Sequence, residues 1–430
     1  MDYKALLSEL NVPTKEARLS NLRAIKTQID NGKIVAPKKT DNVNNHIHTT
    51  YSFSPYSPTA AAFMAYASGL QVAGIMDHDS VSGAHEFAAA GKILGIATTT
   101  GIEFRVSLPN GLFAEHYLNN PDQKGMCYLS IHGIPLSQVE KVNQWMGKAR
   151  KERDIRNRKI VDNINNIMTS HGISLSYEED VLADSMHAEG GGITERRILF
   201  GFANKLIETF GKRQALIDFL QNDMQLSLPA KLQDLLCDEI NPYYVYDLLG
   251  GLKSSFLEQV YVDADAELIP IEEAIAFSKE ICAIMTYPYL GDVANSVTGD
   301  KAPKAHEDSF LPELITYVQS IGFPGCSYMP SRNNKTQLDV LRKLADEHGL
   351  FQVSGEDINT PRQSFICEQL KDPHFSNLIE NTWALIGHEQ CVNVAIEDGM
   401  FTEKTIAKLP NLNERIKVYS EIGKKLIKKQ

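Results

Sequence analysis

The chain has 430 residues, of which 43% are hydrophobic and 23% charged, with a formal net charge of -11. That length holds two or three domains, or one large α/β domain with insertions, in an ordinary globular composition. The negative balance argues against nucleic acid as a dedicated partner, since a polyphosphate would be repelled, yet it allows a small phosphorylated substrate held by a metal.

Residues 1–40 carry Leu6, Leu7 and Leu10, then Leu19, Leu22 and Ile25, at helical spacing. A first strand over Asn42–Ile47 runs into His46-Ile47-His48. Residues i and i+2 of a strand share a face, so the two imidazoles stand side by side. Imidazole is the commonest protein ligand for a mid-series metal. Ser57-Pro58 then starts a helix that continues over Ala60–Ala67, with Gly69 as its stop. Val72–Met76 is a short apolar strand ending in Asp77-His78-Asp79, and a helix over Gly83–Ala90 follows. Ile96–Thr100 is a strand ending in Gly101-Ile102-Glu103. Three successive strands thus carry metal-competent residues at their C-terminal ends, where barrel-like α/β folds build sites.

Residues 104–135 read as a hairpin excursion whose second strand, Cys127–Ile131, leads to His132. A long helix follows, Leu136–Met168, with a basic middle over Lys148–Lys159 that reads as a solvated face. Residues 169–265 are mostly helical and contain Gly190-Gly191-Gly192 ahead of Thr194-Glu195-Arg196-Arg197. That glycine run reads as a flexible loop with a surface arginine pair, or as backbone N–H groups open to a phosphate. The βα rhythm resumes near Pro270 and reaches a strand over Leu350–Val353 that ends in Ser354-Gly355-Glu356-Asp357. The last 60 or so residues read as helical. Six cysteines form no C-x-x-C pair and read as reduced, mostly core thiols. With no signal-peptide core after Met1-Asp2-Tyr3-Lys4 and no apolar run of spanning length, the expectation is a cytoplasmic protein without a membrane partner.

In this order the residues resemble the PHP (polymerase and histidinol phosphatase) superfamily, in its small metal-dependent phosphoesterase branch. His46-Ile-His48-Thr-Thr-Tyr-Ser is similar to the opening H-x-H-T-x-x-S, Gly74–Gly83 to I-T-D-H-D-T-x-x-G, and Gly101-Ile102-Glu103 to G-x-E. Met285-Thr286-Tyr287-Pro288 occupies the place of A-H-P, and Val353–Asn359 that of G-S-D-x-H. The resemblance spans about residues 42–365. It implies a distorted (β/α)7 TIM-like barrel with a helical insertion and helical termini. The divisions are a 1–40 extension, barrel parts 41–139 and 266–370, an insertion 140–265 and an extension 371–430. It also implies phosphoester hydrolysis with one to two divalent ions (Zn, Mn or Fe), His46, His48, Glu103 and Asp357 forming one complete metal site. His78 and His132 are candidates for a weaker second site, with His116 in the hairpin as another. Asp77 and His78 stand where catalytic groups are expected, and Arg196, Arg197, Tyr287 and Asn359 where substrate is expected. The sequence departs from the family pattern at Phe53, Tyr128, Tyr287 and Asn359, each in a place where a ligand is expected. The alternative is a degenerate PHP module that binds a ligand or partner without catalysis. His85, His171, His187, His306, His348, His374 and His388 lack supporting context and read as surface residues.

Overall fold

The computed structural model describes residues 3–109, 113–120, 122–292 and 307–427. Among the described residues eight strands form one sheet: β1 (Val43–Ile47), β2 (Val72–His78), β3 (Ala97–Ser107), β4 (Met126–His132), β5 (Ile269–Pro270), β6 (Ile284–Pro288), β7 (Gly325–Tyr328) and β8 (Phe351–Ser354). Their order is β1-β2-β3-β4-β6-β7-β8, with the short β5 beside β3. The sheet curls until Ile47 of β1 bridges Ile358, just past β8. The fold is α/β, but the sheet is mixed: β4 runs antiparallel to β3 and to β6. A return to a parallel neighbour takes a crossover, usually a helix. Among the described residues the β3–β4 connection contains no helix, so the chain comes back antiparallel.

Local chemistry fixes the first βα units. Helix α1 is Lys15–Asp30, and its Leu19, Leu22 and Ile25 join the main core. Helix α2 is Pro58–Ala67; the Ser57 hydroxyl accepts from Ala60 N–H, and Gly69 exits at φ +83. Helix α3 is Ala84–Leu94 and stops at Gly95, φ +72. Arg18 of α1 makes a buried two-point ion pair with Glu86 of α3, which ties the N-terminal stretch to the helices beside the sheet.

The long basic helix is interrupted at Met146, after which α4 runs Gly147–Met168. The solvated-face expectation for Lys148–Lys159 holds for only part of it: Arg153 and Arg156 are buried. Helix α5 is Glu195–Phe210. Residues from 160 to 260 form a second hydrophobic core, and Phe53 from the loop after β1 belongs to it.

Helix α6 (Ser376–Val394) is buried around most of its circumference, and α7 (Leu412–Ile427) packs along it. Its polar side chains bond to the sheet. Asn45 Nδ2 donates to Thr382 Oγ1, Asn381 Nδ2 donates to the Gln352 carbonyl, and Glu389 accepts from the Thr99 hydroxyl and Thr100 N–H. His388 is buried too, its Nδ1 accepting from Met400 N–H, which corrects the surface reading; His306 lies outside the described residues.

Burial pushes the Glu389 carboxyl from its ordinary 4.5 up to about 8. The folded chain therefore holds this proton more tightly than the unfolded one. The stability contributed by the neutral carboxyl is complete below about pH 4.5 and drains away as pH rises towards 8. A Glu389→Gln variant is expected to melt about 2–4 °C higher than the parent at pH 8 and within a degree or so of it at pH 4.5. Melting curves at the two pH values check this; an equal shift at both contradicts it.

Candidate metal centre

Register brings the candidate ligands together. Glu103 of β3 lies beside His78 of β2 in the parallel ladder. His46 arrives from β1 and His48 from just past its end, and Asp357 from the loop after β8, whose Ile358 N–H donates to the His46 carbonyl. Gly355 makes that approach feasible, since a Cβ there would sit 2.6 Å from His46 Cβ. Past His78 the chain turns at Asp79, φ +58, a left-handed conformation that Asp tolerates better than most residues.

His46, His48 and Glu103 each offer one donor atom, and the three lie within 4.8 Å of one another. His46 Nε2 is 3.2 Å from His48 Nε2 and 3.5 Å from Glu103 Oε2; His48 Nε2 is 4.0 Å from Glu103 Oε2 and 3.1 Å from Asp357 Oδ1. Donors bound about 2.1 Å from one ion at tetrahedral angles lie about 3.4 Å apart, so the spacing fits a shared divalent cation. His78 flanks the group: its ring stacks on His48 at 4.7 Å, and its Nδ1, 3.4 Å from Glu103 Oε2, is buried with no hydrogen-bond partner.

The electrostatics also suit a cation. Burial opposes ionisation of Glu103, but His78, His46 and His48 outweigh it and bring the carboxyl down to about 2. Burial likewise opposes ionisation of Asp357, and His48, His46 and the Arg196 guanidinium hold it well below its ordinary value. Burial lowers His78 to about 3, leaving a neutral imidazole with a free lone pair. For His46, burial is outweighed by Glu103, Asp357 and Asp77, so its affinity for a proton rises.

Asp77 is not at the reacting edge. It is buried, and its carboxylate accepts from Thr49 N–H, the Thr49 hydroxyl and the Ser52 hydroxyl, each at 2.6 Å. Ser52 Oγ lies 3.3 Å from His48 Nδ1. Asp77 thus acts through Ser52 to orient His48, leaving Nε2 for a metal, as outer partners of ligating histidines commonly do. Loss of such a partner typically costs 10–100-fold in metal affinity. A Ser52→Ala variant is accordingly expected to bind Zn or Mn about tenfold more weakly, as read by competition with a chelating dye; unchanged affinity contradicts the relay. Ser52 stands in the H-x-H-T-x-x-S stretch, so its place was visible in the sequence although its role was not.

The other expected site residues divide. Asn359 Nδ2 donates to Asp357 Oδ1 at 2.7 Å, and the Arg196 charge acts on Asp357. Arg197 turns elsewhere: its Nε donates to the Val181 carbonyl and its guanidinium lies over Phe200. Tyr287 is a correction. Glu103, Ser130 and Thr286 face each other across β3, β4 and β6, so Tyr287, one residue on, points to the opposite face. There its hydroxyl donates to Glu307 in the core. His132 is buried on the Ser130 face, with Nε2 unpartnered, but lies outside the His46/His48/Glu103 group. His116 is exposed against Phe310.

A buried ionic network backs the site. Arg105, two residues past Glu103, bonds Glu195 and Glu267; Arg156 bonds the same two carboxylates; Arg153 bonds Glu195 and Asp79. Three guanidiniums and three carboxylates balance. The network joins α4 and the start of α5 to the ends of β2 and β3. Gly192 adds to this junction, since a Cβ there would meet the His78 carbonyl at 2.5 Å. The Arg196 end of α5 is thereby held beside the metal group.

No helix of the described residues is long and apolar enough to cross a membrane. No family model matches the chain. A curated 5'-3' exoribonuclease from Haemophilus influenzae is 39% identical over 64 residues, 15% of this chain and 23% of that protein, so the chain matches less than a quarter of that relative's length. An amidohydrolase structure from Chromobacterium violaceum is 18% identical with a TM-score of 0.49, covering 76% of this chain and 90% of that one. A candidate metal-dependent phosphoesterase from Bifidobacterium adolescentis is 17% identical with a TM-score of 0.51, and the match covers 81% of this chain and 97% of that one. The chain is therefore similar in fold to that protein, and it carries a His/His/Glu group able to hold a metal.

Proposed function

We propose that the chain is a metal-dependent phosphoesterase of the PHP superfamily, with a barrel over 41–139 and 266–370 and a helical insertion over 140–265. Its substrate is a small phosphorylated molecule such as a nucleotide or sugar phosphate. The observation that carries this reading is the convergence of His46, His48 and Glu103 donor atoms, with Asp357 against His48, at one end of the curled sheet. A divalent ion held there supplies Lewis acidity towards a phosphoryl oxygen and lowers the pKa of water. The chain's own contribution is positional. Asp77 and Ser52 set the His48 ring, Asn359 holds the Asp357 carboxylate, and neutral His78 offers a proton acceptor beside Glu103. Arg196 brings positive charge for substrate phosphate. The exoribonuclease relative adds short oligonucleotides to the substrates worth assaying.

The test is turnover of p-nitrophenyl phosphate, nucleotides and short oligonucleotides by protein loaded with Mn, Zn or Fe. Metal-dependent hydrolysis that disappears in His48→Ala is expected; none with any metal overturns the reading. One observation favours the second reading, a module that binds without catalysis. Phe53, where the family pattern has a ligand, packs against Phe200 and Tyr246 of the helical core. That reading predicts phosphate binding with no turnover of any ester.

A further inference from the structure

Tyr128 replaces a ligand in the family pattern, yet it stands at the edge of the metal group. It faces Arg105 across the β3–β4 ladder. Its ring lies 5.4 Å from the His78 ring, tilted by 49°. Arg105 Nε donates to its hydroxyl oxygen at 2.9 Å. Arg105 is itself fixed, with its other two nitrogens on Glu267 and Glu195 at 3.1 and 2.8 Å. Arg105, Glu195 and Glu267 are buried, whereas Tyr128 is only partly so. Tyr128 thus lies between this network, which its hydroxyl touches, and the ring of His78.

The donor count gives the tyrosine a task. Its oxygen accepts from a guanidinium that can only donate. Among the described residues its own proton has no acceptor. A phenol in this state is a polarised donor, since a cation on its oxygen strengthens the bond that its hydrogen makes. We propose that Tyr128 is a substrate-contacting residue: its hydroxyl donates to a phosphoryl oxygen of substrate held at the metal group, and Arg105 is the positioning residue that aims it. The chain has exchanged a ligand for a hydrogen-bond donor, so its site pairs fewer metal ligands with an added neutral contact to the anion. This inference rests on the phosphoesterase reading above.

Isothermal titration of inorganic phosphate into Zn- and Mn-loaded protein tests it, with the parent and Tyr128→Phe compared. The substitution keeps the ring and its packing on His78. Metal content and melting temperature are expected to stay unchanged, while phosphate affinity falls about tenfold or more, the range for a hydrogen bond to a charged partner. If the reading's turnover is present, kcat/KM falls with it. Phosphate affinity equal to the parent's overturns the assignment of Tyr128 alone. Loss of the metal together with phosphate affinity also overturns it, by making Tyr128 a prop for the metal group. A parent protein that binds no phosphate with either metal overturns the phosphoesterase reading, and the Tyr128 proposal falls with it.

Discussion

A Glu103→Gln variant is expected to take up no stoichiometric divalent ion and to lose more than the roughly 100-fold in activity that an outer partner typically costs. Glu103 Oε2 lies 3.5 Å from His46 Nε2, 4.0 Å from His48 Nε2 and 3.4 Å from His78 Nδ1. It is the carboxylate common to all three imidazoles. Its ionised form is secured by those rings against the cost of burial. The amide keeps the shape and removes the charge, so the fold is retained while the cation loses its anionic ligand. Elemental analysis of the folded variant and its kcat/KM check this together. Full metal occupancy in Glu103→Gln would place the ion elsewhere.

The second large effect is on stability. Replacing Glu195 with Ala is expected to destabilise the protein by about 3–5 kcal/mol, the cost of removing one partner from a buried ion pair. Glu195 bonds Arg105, Arg153 and Arg156, all buried. Without it three guanidiniums share Asp79 and Glu267. Denaturant unfolding measures the loss, read as a lower midpoint with the slope retained. A change under about 1 kcal/mol would mean that water already reaches these charges. Because Arg105 also holds Tyr128, this variant is expected to lose activity as well, whereas Tyr128→Phe is expected to lose activity without stability.

Much of the βα frame was legible because periodicity and caps reported it directly. Ser57-Pro58, Gly69 and the apolar β2 segment fell where the sequence put them. His46, His48 and Glu103 were legible as metal-competent side chains, and the fold brings them together as a group able to hold a metal. The misreadings have separate physical causes. Tyr287 was placed by its resemblance to an A-H-P motif, but a strand alternates its faces, so one residue decides between site and core. Arg153 and Arg156 sit in a run whose charge density suits solvent, and only the tertiary positions of Glu195 and Glu267 reveal their burial. His388 lies on a helix buried around most of its circumference, which has no polar face to betray its setting. Phe53 and Tyr128 could be seen to depart from the pattern the sequence resembles; their partners, the second core around Phe200 for Phe53 and Arg105 for Tyr128, needed the spatial neighbours.

The central claim is that one divalent ion is held by His46, His48 and Glu103. Anomalous diffraction from crystals grown with Zn or Mn tests it most directly. The account predicts a strong peak within about 2.3 Å of His46 Nε2, His48 Nε2 and Glu103 Oε2. A map with no peak there, or with its only peak among other residues, would contradict it.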